Sequence, residues 1–240
     1  MTATAATAGH GAEPATAVAA QVTGVVKTYR TATGAVTALD EVDATFRSAT
    51  VTALVGPSGS GKSSLLRLLA CVDRPDAGRV EVAGTDVSRL GAAARRRLRR
   101  RQVGYLFQNP ADNLLEYLTA EEHLVLAAQL RGSGSRQDGE RLLDALGLAH
   151  RRRNKPPQLS GGEQQRLAVA TAVIGRPALV IADEPTAELD HASGELVMTA
   201  MRELRDEGVG FVVASHDPLV VERVDAVVHL HHGRVGEEEQ

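Results

Sequence analysis

A glycine-rich segment with one lysine is the residue pattern in this chain best suited to binding an anion. Gly56-Pro-Ser-Gly-Ser-Gly-Lys62-Ser63 follows the run Thr50-Val-Thr-Ala-Leu-Val55 and precedes Ser64-Leu-Leu-Arg-Leu-Leu-Ala70. This order predicts a strand, a loop and a helix, with the spacing of a phosphate-binding loop. Glycine lets successive N–H groups point at one anion, and the following helix adds the positive end of its dipole. The segment predicts phosphate binding, with Lys62 reaching the β- and γ-phosphates.

Two acidic residues that directly follow an apolar run indicate a site for a cation. In Leu179-Val-Ile-Ala-Asp183-Glu184, uncompensated carboxylates would be costly at the end of a buried strand. Asp183 is predicted to hold Mg²⁺ through water, with the Ser63 hydroxyl as a direct ligand. Glu184 is predicted to orient and deprotonate the water that attacks the γ-phosphate. Because Asp-Glu is also a common polar strand cap, this prediction depends on the accompanying phosphate loop.

A histidine ends another apolar run, in Ala214-Ser-His216-Asp217. There, His216 is predicted to hydrogen-bond the γ-phosphate or to steady Glu184. A histidine at a strand end is more often a satisfied polar residue than a catalyst. Its assignment to the site therefore rests on the other motifs.

The elements that must position these residues follow an α/β pattern. From Gln21 onward, short Val-rich runs alternate with helical stretches, which is typical of a parallel sheet covered by helices. The predicted strands are Val22 to Thr28, Thr50 to Val55, Leu179 to Asp183, Phe211 to Ser215 and Val227 to Leu230, several of them buried on both faces. Between residues 109 and 157, Leu114 to Leu130 and Gly139 to Leu148 predict helices joined by Arg131-Gly-Ser-Gly-Ser135. This predicts a helical insert within an α/β core.

Composition limits the kinds of protein this chain can be. Its 240 residues, 43% of them hydrophobic, suit an ordinary globular core. A formal net charge of −3 argues against binding nucleic acid or anionic lipid through bulk electrostatics. The single Cys71 excludes an intramolecular disulfide and favours a reducing compartment. Since no stretch approaches about 20 consecutive apolar residues, the chain is not expected to cross a membrane by itself.

The two ends of the chain are interpreted as tails around one domain. Residues 1–20, rich in Ala and Thr, predict a disordered segment, with a weak amphipathic helix as the alternative. Residues 21–235 predict the folded domain, and residues 236–240 an acidic tail.

Two further clusters are not assigned to the site. Arg95 to Arg101 holds six arginines in seven positions. Without interleaved aromatic residues, this cluster is interpreted as solvated helix surface or contacts to an acidic partner, with a nucleic-acid or lipid-headgroup patch as the alternative. His229, His231 and His232 have no nearby acid or cysteine set and are interpreted as a strand and turn before Gly233.

One segment resembles the signature of a known protein family. Leu159-Ser160-Gly-Gly162-Glu-Gln-Gln-Arg166 resembles the Leu-Ser-Gly-Gly-x-Gln signature of the ABC ATPases. By itself it predicts a helix capped by Ser160, with N–H groups facing an anion. The resemblance implies a P-loop NTPase fold with a RecA-like core, an antiparallel β element and a helical subdomain. It also implies that Ser160, Gly161 and Gly162 of one subunit close over ATP held by the loop of another in a head-to-tail dimer.

Other positions match the family one at a time. Tyr29 matches the aromatic residue that stacks on adenine, and Gln108, in Tyr-Leu-Phe-Gln108, the glutamine that touches Mg²⁺ and the attacking water. Asp190 matches the aspartate that contacts the partner subunit, and His216 the switch histidine. The phosphate-loop positions that the resemblance assigns to nucleotide binding are Gly56, Pro57, Ser58, Gly59, Ser60, Gly61, Lys62, Ser63 and Ser64. Ser64, where Thr is common, and Glu188, where a small residue is frequent, depart from the pattern without removing a needed donor or acceptor.

The resemblance extends to a subgroup and its partners. Cys71 to Gly78 and Arg99 to Gln108 resemble lipoprotein-releasing, macrolide-exporting and cell-division ATPases, whereas Asn109-Pro-Ala-Asp-Asn113 departs from them on the surface expected to meet a permease. The implied protein is an ATP-hydrolysing, Mg²⁺-dependent subunit that pairs with its own copy and with an integral-membrane permease. It would lie on the cytoplasmic face of the cell membrane without inserting, and no nucleic-acid partner is expected.

Three other functions use similar nucleotide-binding domains. DNA-repair and chromosome-organising ATPases carry long heptad insertions, and translation factors of this family carry two copies of each motif; this chain has neither. The remaining alternative is a mechanotransmitting ATPase that controls a cell-envelope regulator without moving solute.

Overall fold

The computed structural model describes residues 17–32 and 34–236, which form ten strands and seven α-helices. The strands are β1 (Val18–Thr31), β2 (Gly34–Arg47), β3 (Val51–Val55), β4 (Ala77–Val82), β5 (Thr85–Asp86), β6 (Val103–Leu106), β7 (Leu179–Asp183), β8 (Gly210–Ala214), β9 (Ala226–His231) and β10 (Arg234–Gly236). The helices are α1 (Lys62–Leu69), α2 (Ala92–Gln102), α3 (Ala120–Arg131), α4 (Arg136–Ala145), α5 (Gly161–Val173), α6 (His191–Asp206) and α7 (Pro218–Val221).

A six-stranded sheet forms the centre of the fold. Its order is β10-β9-β3-β8-β7-β6, and all neighbours are parallel except the β9–β10 pair. Every residue of β8, and all but the last of β3 and β7, is buried, which confirms the prediction of strands covered on both faces. Because parallel strands end at a common edge, the residues that follow β3, β7 and β8 are brought together.

A second, antiparallel sheet has the order β2-β1-β4-β5. It confirms the antiparallel element that the family resemblance implied. The predicted strand Val22 to Thr28 is the middle of the longer β1, whose partner β2 was not predicted. Buried Leu39, Val42 and Phe46 of β2 share a hydrophobic cluster with α1, so this sheet covers the helix that follows the phosphate loop.

The segment between β6 and β7 contains helices and no strand, in agreement with the helical subdomain that the family resemblance implied. The predicted helix starts were wrong, however: α3 begins at Ala120 rather than Leu114, and α4 at Arg136 rather than Gly139. Capping boxes fix both starts, through Thr119 with Glu122 and through Ser135 with Asp138. The end predicted at Leu148 was also late, since Gly147 turns the chain with φ 68°.

The predicted boundary between tail and domain at residue 20 falls inside β1, which begins at Val18. The rest of the predicted N-terminal tail, residues 1–16, and residues 237–240 of the predicted acidic tail lie outside the described residues. Within the described part of the chain, no helix combines the length and apolarity that a membrane span requires.

Candidate active site

A cavity of about 820 Å³ lies at the carboxyl edge of β3, β7 and β8. This is ample space for a nucleotide-sized ligand. It brings together residues predicted from four separate segments of the sequence. The lining residues are Ala38, Gly56, Pro57, Ser58, Gly59, Gly61, Lys62, Ser63, Ser64, Gln108, Asp183, Glu184 and His216.

The first turn of α1 lines the cavity with uncapped backbone N–H groups. Gly61 occupies the N-cap position in a left-handed conformation, and no side chain caps this helix. By contrast, side chains cap the first turns of α3, α4, α5 and α6. Free N–H groups at a helix N-terminus, together with the helix dipole, favour an anionic ligand.

Close packing explains two of the glycines in the loop. A Cβ at Gly56 would lie 2.0 Å from the carbonyl oxygen of Leu230, and one at Gly61 would lie 2.4 Å from that of Ala38. Beneath the loop, Ser60 is buried and its carbonyl accepts a hydrogen bond from the N–H of Gly233 at 2.9 Å. The β9–β10 turn and β2 therefore hold the loop in its anion-binding shape.

Lys62 folds back over the same loop. Its Nζ donates hydrogen bonds to the carbonyl oxygens of Gly56, at 2.6 Å, and Pro57, at 3.0 Å. The ammonium group is thereby held over the loop with a third donor free for a ligand.

Asp183 supplies a carboxylate beside this cation. Burial, and then the negative charge of Glu184, raise the pKa of Asp183, while Lys62 lowers it. A bound cation would relieve this cost, and Asp183, Ser63 and Gln108, whose side chains carry oxygen donors, line the same cavity. These hard oxygen donors fit Mg²⁺, which commonly takes its remaining ligands from phosphate and water.

Glu184 is fixed by residues at the end of β8 and directly after it. Its backbone has φ 47°, and its N–H donates to the carbonyl of Ala214 at 2.9 Å. Its carboxylate accepts hydrogen bonds from His216 Nδ1 at 2.7 Å and from Ser215 Oγ at 3.2 Å. The bond to Glu184 raises the pKa of His216. Sequence reasoning assigned no role to Ser215, although strand alternation next to the exposed His216 could have indicated its inward direction.

Tyr29 lies on β1, outside the residues that line the cavity. Its hydroxyl donates to Asp73 Oδ2 at 2.9 Å, and the same carboxylate pairs with Arg67 Nε at 2.8 Å. The positive charge of Lys27 lies 5.2 Å from the centre of the ring. Asp73 and Arg67 thus anchor the aromatic side chain to α1, a contact that sequence reasoning missed because the residues lie far apart in the chain.

The remaining predicted residues lie apart from the cavity, with Ser160, Gly161 and Asp190 exposed and Gly162 buried. Ser160 caps α5. Asp190 caps α6, because its carboxylate accepts hydrogen bonds from the backbone N–H of Ser193 at 3.0 Å and from the Ser193 hydroxyl at 2.7 Å. A Cβ at Gly162 would lie 2.7 Å from Ser193 Oγ, so the two helix starts pack closely. Neither Ser160, Gly161, Gly162 nor Asp190 lines the cavity.

Comparison with known proteins places this arrangement in a family. The sequence profile described as ABC transporter matches residues 39–187. The chain is 39% identical over 217 residues to the lipoprotein-releasing system ATP-binding protein LolD of Shewanella sp. (strain MR-4), covering 89% of this chain and 93% of that protein. It is 38% identical over 214 residues to the macrolide export ATP-binding/permease protein MacB of Salmonella typhimurium, covering 88% of this chain and 33% of that protein.

Solved structures show the same fold. A dimeric ATP-binding cassette in a post-hydrolysis state, bound to ADP and Pi, has a TM-score of 0.81 and 32% identity, over 92% of this chain and 98% of that one. A dimeric bacterial ABC transporter cassette has a TM-score of 0.80 and 32% identity, with the same coverage. The chain belongs to the ABC transporter family, as an ATP-binding and ATP-hydrolysing subunit.

Proposed function

We propose that two copies of this chain bind Mg-ATP between them, hydrolyse it, and pass the motion to a separate membrane permease. One observation carries the proposal: the phosphate loop and Glu184 share one cavity, while the signature around Ser160 is exposed on a surface outside it. A signature that acts on nucleotide must therefore act on one held by another copy.

Residues of the cavity bind the nucleotide in this proposal. The loop N–H groups and Lys62 hold the phosphates, because they concentrate positive charge where the γ-phosphate would lie. Tyr29, held by Asp73, stacks on adenine. Asp183, Ser63 and Gln108 would hold Mg²⁺, which when bound neutralises charge that develops on the phosphates.

Glu184 acts as the general base. It accepts a proton from the water whose oxygen attacks the γ-phosphorus, and the bond between that phosphorus and the bridging oxygen to the β-phosphate breaks to give ADP and phosphate. His216 positions the carboxylate through the 2.7 Å hydrogen bond, and because it lines the cavity it would contact the γ-phosphate.

The second copy completes each site. Ser160, Gly161 and Gly162 of that copy would present the N-terminus of α5 to the γ-phosphate, and Asp190 would contact the facing subunit. Exposure of Ser160, Gly161 and Asp190 in the single chain supports this, as do the dimeric structures of similar cassettes.

The helical insert and the segment before it form the proposed permease contact. Exposed apolar side chains collect there, on Phe107, Leu115, Tyr117 and Leu130. Relatives named for lipoprotein release and macrolide export support a permease of that type, with the chain peripheral on the cytoplasmic face of the membrane.

Substitution of the base tests the proposal. Glu184→Gln keeps the shape but cannot take a proton, so we expect Mg-ATP hydrolysis to fall at least about 100-fold. It should also accumulate an ATP-bound dimer, measured by size-exclusion chromatography. Glu222→Gln, the same change at an exposed glutamate outside the cavity, is the control and should hydrolyse normally. Normal hydrolysis by Glu184→Gln would show that another group is the base.

A further inference from the structure

Helix α2 carries a row of arginines that takes no part in the proposed hydrolysis. Arg96, Arg97, Arg100 and Arg101 are all exposed, and their spacing along the helix places them on one face. We call these four residues the arginine stripe. The helix thus distributes the basic run Arg95 to Arg101 over two faces.

The other face of α2 attaches the helix to the protein. Leu98 packs against the hydrophobic cluster that contains α1. Arg95 and Arg99 are half-buried and donate to the carbonyl oxygens of Val72 and Cys71, each at 3.5 Å. Arg95 and Arg99 therefore have a structural role in attaching α2. The stripe residues are the arginines of α2 to which no such role is assigned.

No carboxylate in the described part of the chain forms an ion pair with a stripe residue. Arg96 and Arg100, and Arg97 and Arg101, are like charges four residues apart, an arrangement that destabilises a helix. Exposed arginines elsewhere, such as Arg79 and Arg141, do have carboxylate partners. The stripe is therefore an uncompensated concentration of positive charge.

We propose that the arginine stripe binds the phosphate headgroups of anionic lipids at a membrane surface. Guanidinium groups match phosphate oxygens in shape and charge, and a basic patch on a helix is a common device for such surfaces. The chain as a whole has a net charge of −3, so the residues outside the stripe together carry a net negative charge. An anionic plane would therefore attract the stripe and orient the molecule with α2 toward it.

The composition of the stripe favours a lipid surface over other anions. Protein interfaces have cores enriched in aromatic residues and depleted in charge, and the stripe has no apolar member. Single-stranded nucleic acid is held by aromatic stacking, and α2 contains no aromatic residue. A layer of headgroups requires neither shape complementarity nor stacking, only charge.

The exposed end of α3 adjoins this helix. Arg131, its last residue, donates to the carbonyl of Arg100 at 3.5 Å, and the side chain of Leu130 beside it is exposed. This hydrogen bond joins the end of α3 to α2.

Vesicle binding by the purified full chain tests the proposal without a permease, and thus independently of the proposed function. The vesicles contain phosphatidylcholine alone or with about 30 mol% phosphatidylglycerol, at ionic strengths from about 0.05 to 0.5 M. We expect sedimentation with the anionic vesicles only, and release as salt is raised.

The decisive variant replaces the four stripe residues together, as R96Q, R97Q, R100Q and R101Q. Removal of the like charges should leave the fold intact or more stable, which a thermal melt checks. Binding to anionic vesicles should fall at least about 100-fold, since each basic residue contributes to the attraction. The charge-matched control replaces four exposed arginines that have carboxylate partners, as R79Q, R141Q, R176Q and R234Q; it should keep most of the binding.

Three results would overturn the proposal: no binding of the wild-type chain to anionic vesicles, equal losses in the two quadruple variants, or tighter binding to polyglutamate or DNA than to vesicles at equal ionic strength. Both variants should hydrolyse ATP normally. The proposed function is tested separately by Glu184→Gln, so either can fail alone.

Discussion

At the scale of single residues, the phosphate loop requires a residue without a side chain at position 56. The carbonyl of Leu230, on β9, occupies the place where a side chain would begin, 2.0 Å from an ideal Cβ. Gly56 also has φ 151°, in the region that favours glycine. The sequence motif assigned this glycine to anion binding. The structure shows that close packing under the loop also requires a glycine at this position.

Gly56→Ala should therefore distort the loop. We expect ATP binding, measured by calorimetry, to weaken at least about 10-fold and the free energy of unfolding to fall by about 1–3 kcal/mol. Gly236→Ala is the control, because nothing lies within 4 Å of the added Cβ. Unchanged ATP binding in Gly56→Ala would mean that the loop can shift away from Leu230 without loss.

At the scale of elements, the start of the helical insert depends on a histidine. His123 is buried; its Nε2 accepts a hydrogen bond from the N–H of Leu115 at 2.8 Å, and its Nδ1 donates to the carbonyl of Thr119 at 2.8 Å. The ring is therefore neutral in the folded chain, and burial lowers its pKa. Periodicity alone could not place this contact, and the helix was predicted to start at Leu114, one residue before the turn that His123 stabilises.

Protonation of His123 should weaken the fold in mild acid. The unfolded chain takes up a proton near pH 6.5, whereas the folded chain does so only at lower pH. The contribution of His123 to the free energy of unfolding should thus be constant above about pH 7 and decrease as the pH falls below about 6.5. The difference between wild type and His123→Asn in the free energy of unfolding, measured in urea, should shrink as the pH falls, because the variant lacks the titrating group. A difference independent of pH from about 5 to 7.5 would contradict this assignment.

A buried arginine connects the insert to the core. Arg131, at the end of α3, donates to the carbonyls of Val103 at 3.0 Å and Ala172 at 2.7 Å, and burial lowers its pKa to about 10. It therefore stays charged at neutral pH. These bonds link α3 to β6 and α5, which are separated from it by tens of residues in the sequence.

Arg131→Met should leave both carbonyls without this donor. We expect the free energy of unfolding to fall by about 2–4 kcal/mol in chemical denaturation. Arg136→Met, at an exposed arginine of the same insert, should change it by less than about 0.5 kcal/mol. Equal stabilities would show that solvent or a rearranged insert satisfies the carbonyls.

At the scale of the whole molecule, the two halves of the proposed site face different directions. The six-stranded sheet gathers Lys62, Asp183 and Glu184 at one edge, while Ser160 caps a helix on an exposed surface. A head-to-tail pair of copies would join each cavity to the other copy's signature.

Mixing two inactive variants tests this geometry. Lys62→Ala disables the phosphate loop, and Ser160→Arg disables the signature, so each alone should hydrolyse little ATP. An equal mixture should recover roughly a quarter of the wild-type rate, because half the dimers are mixed and each has one intact site. No recovery, with mixed dimers demonstrated by cross-linking, would exclude sites shared between copies.

Much of the site was predictable from sequence because its parts are local. The order strand, glycine loop and helix identifies the phosphate loop, and acids or histidine directly after apolar runs lie at the carboxyl edge of a parallel sheet. Lys62, Asp183, Glu184 and His216 accordingly meet in one cavity. These inferences need only the direction of each strand and the identity of the residue that follows it.

Tertiary structure alone decided what depends on contacts between distant segments. The hydrogen bond from Tyr29 to Asp73, the packing of Leu230 beneath Gly56 and the pairing of β1 with β2 join residues whose separation in the chain carries no pattern. The exposure of Ser160, and the lack of acidic partners for the arginine stripe among the described residues, likewise became evident only once the surface was formed. Local sequence sets which residues can do chemistry, whereas burial and charge pairing depend on the packing of the whole chain.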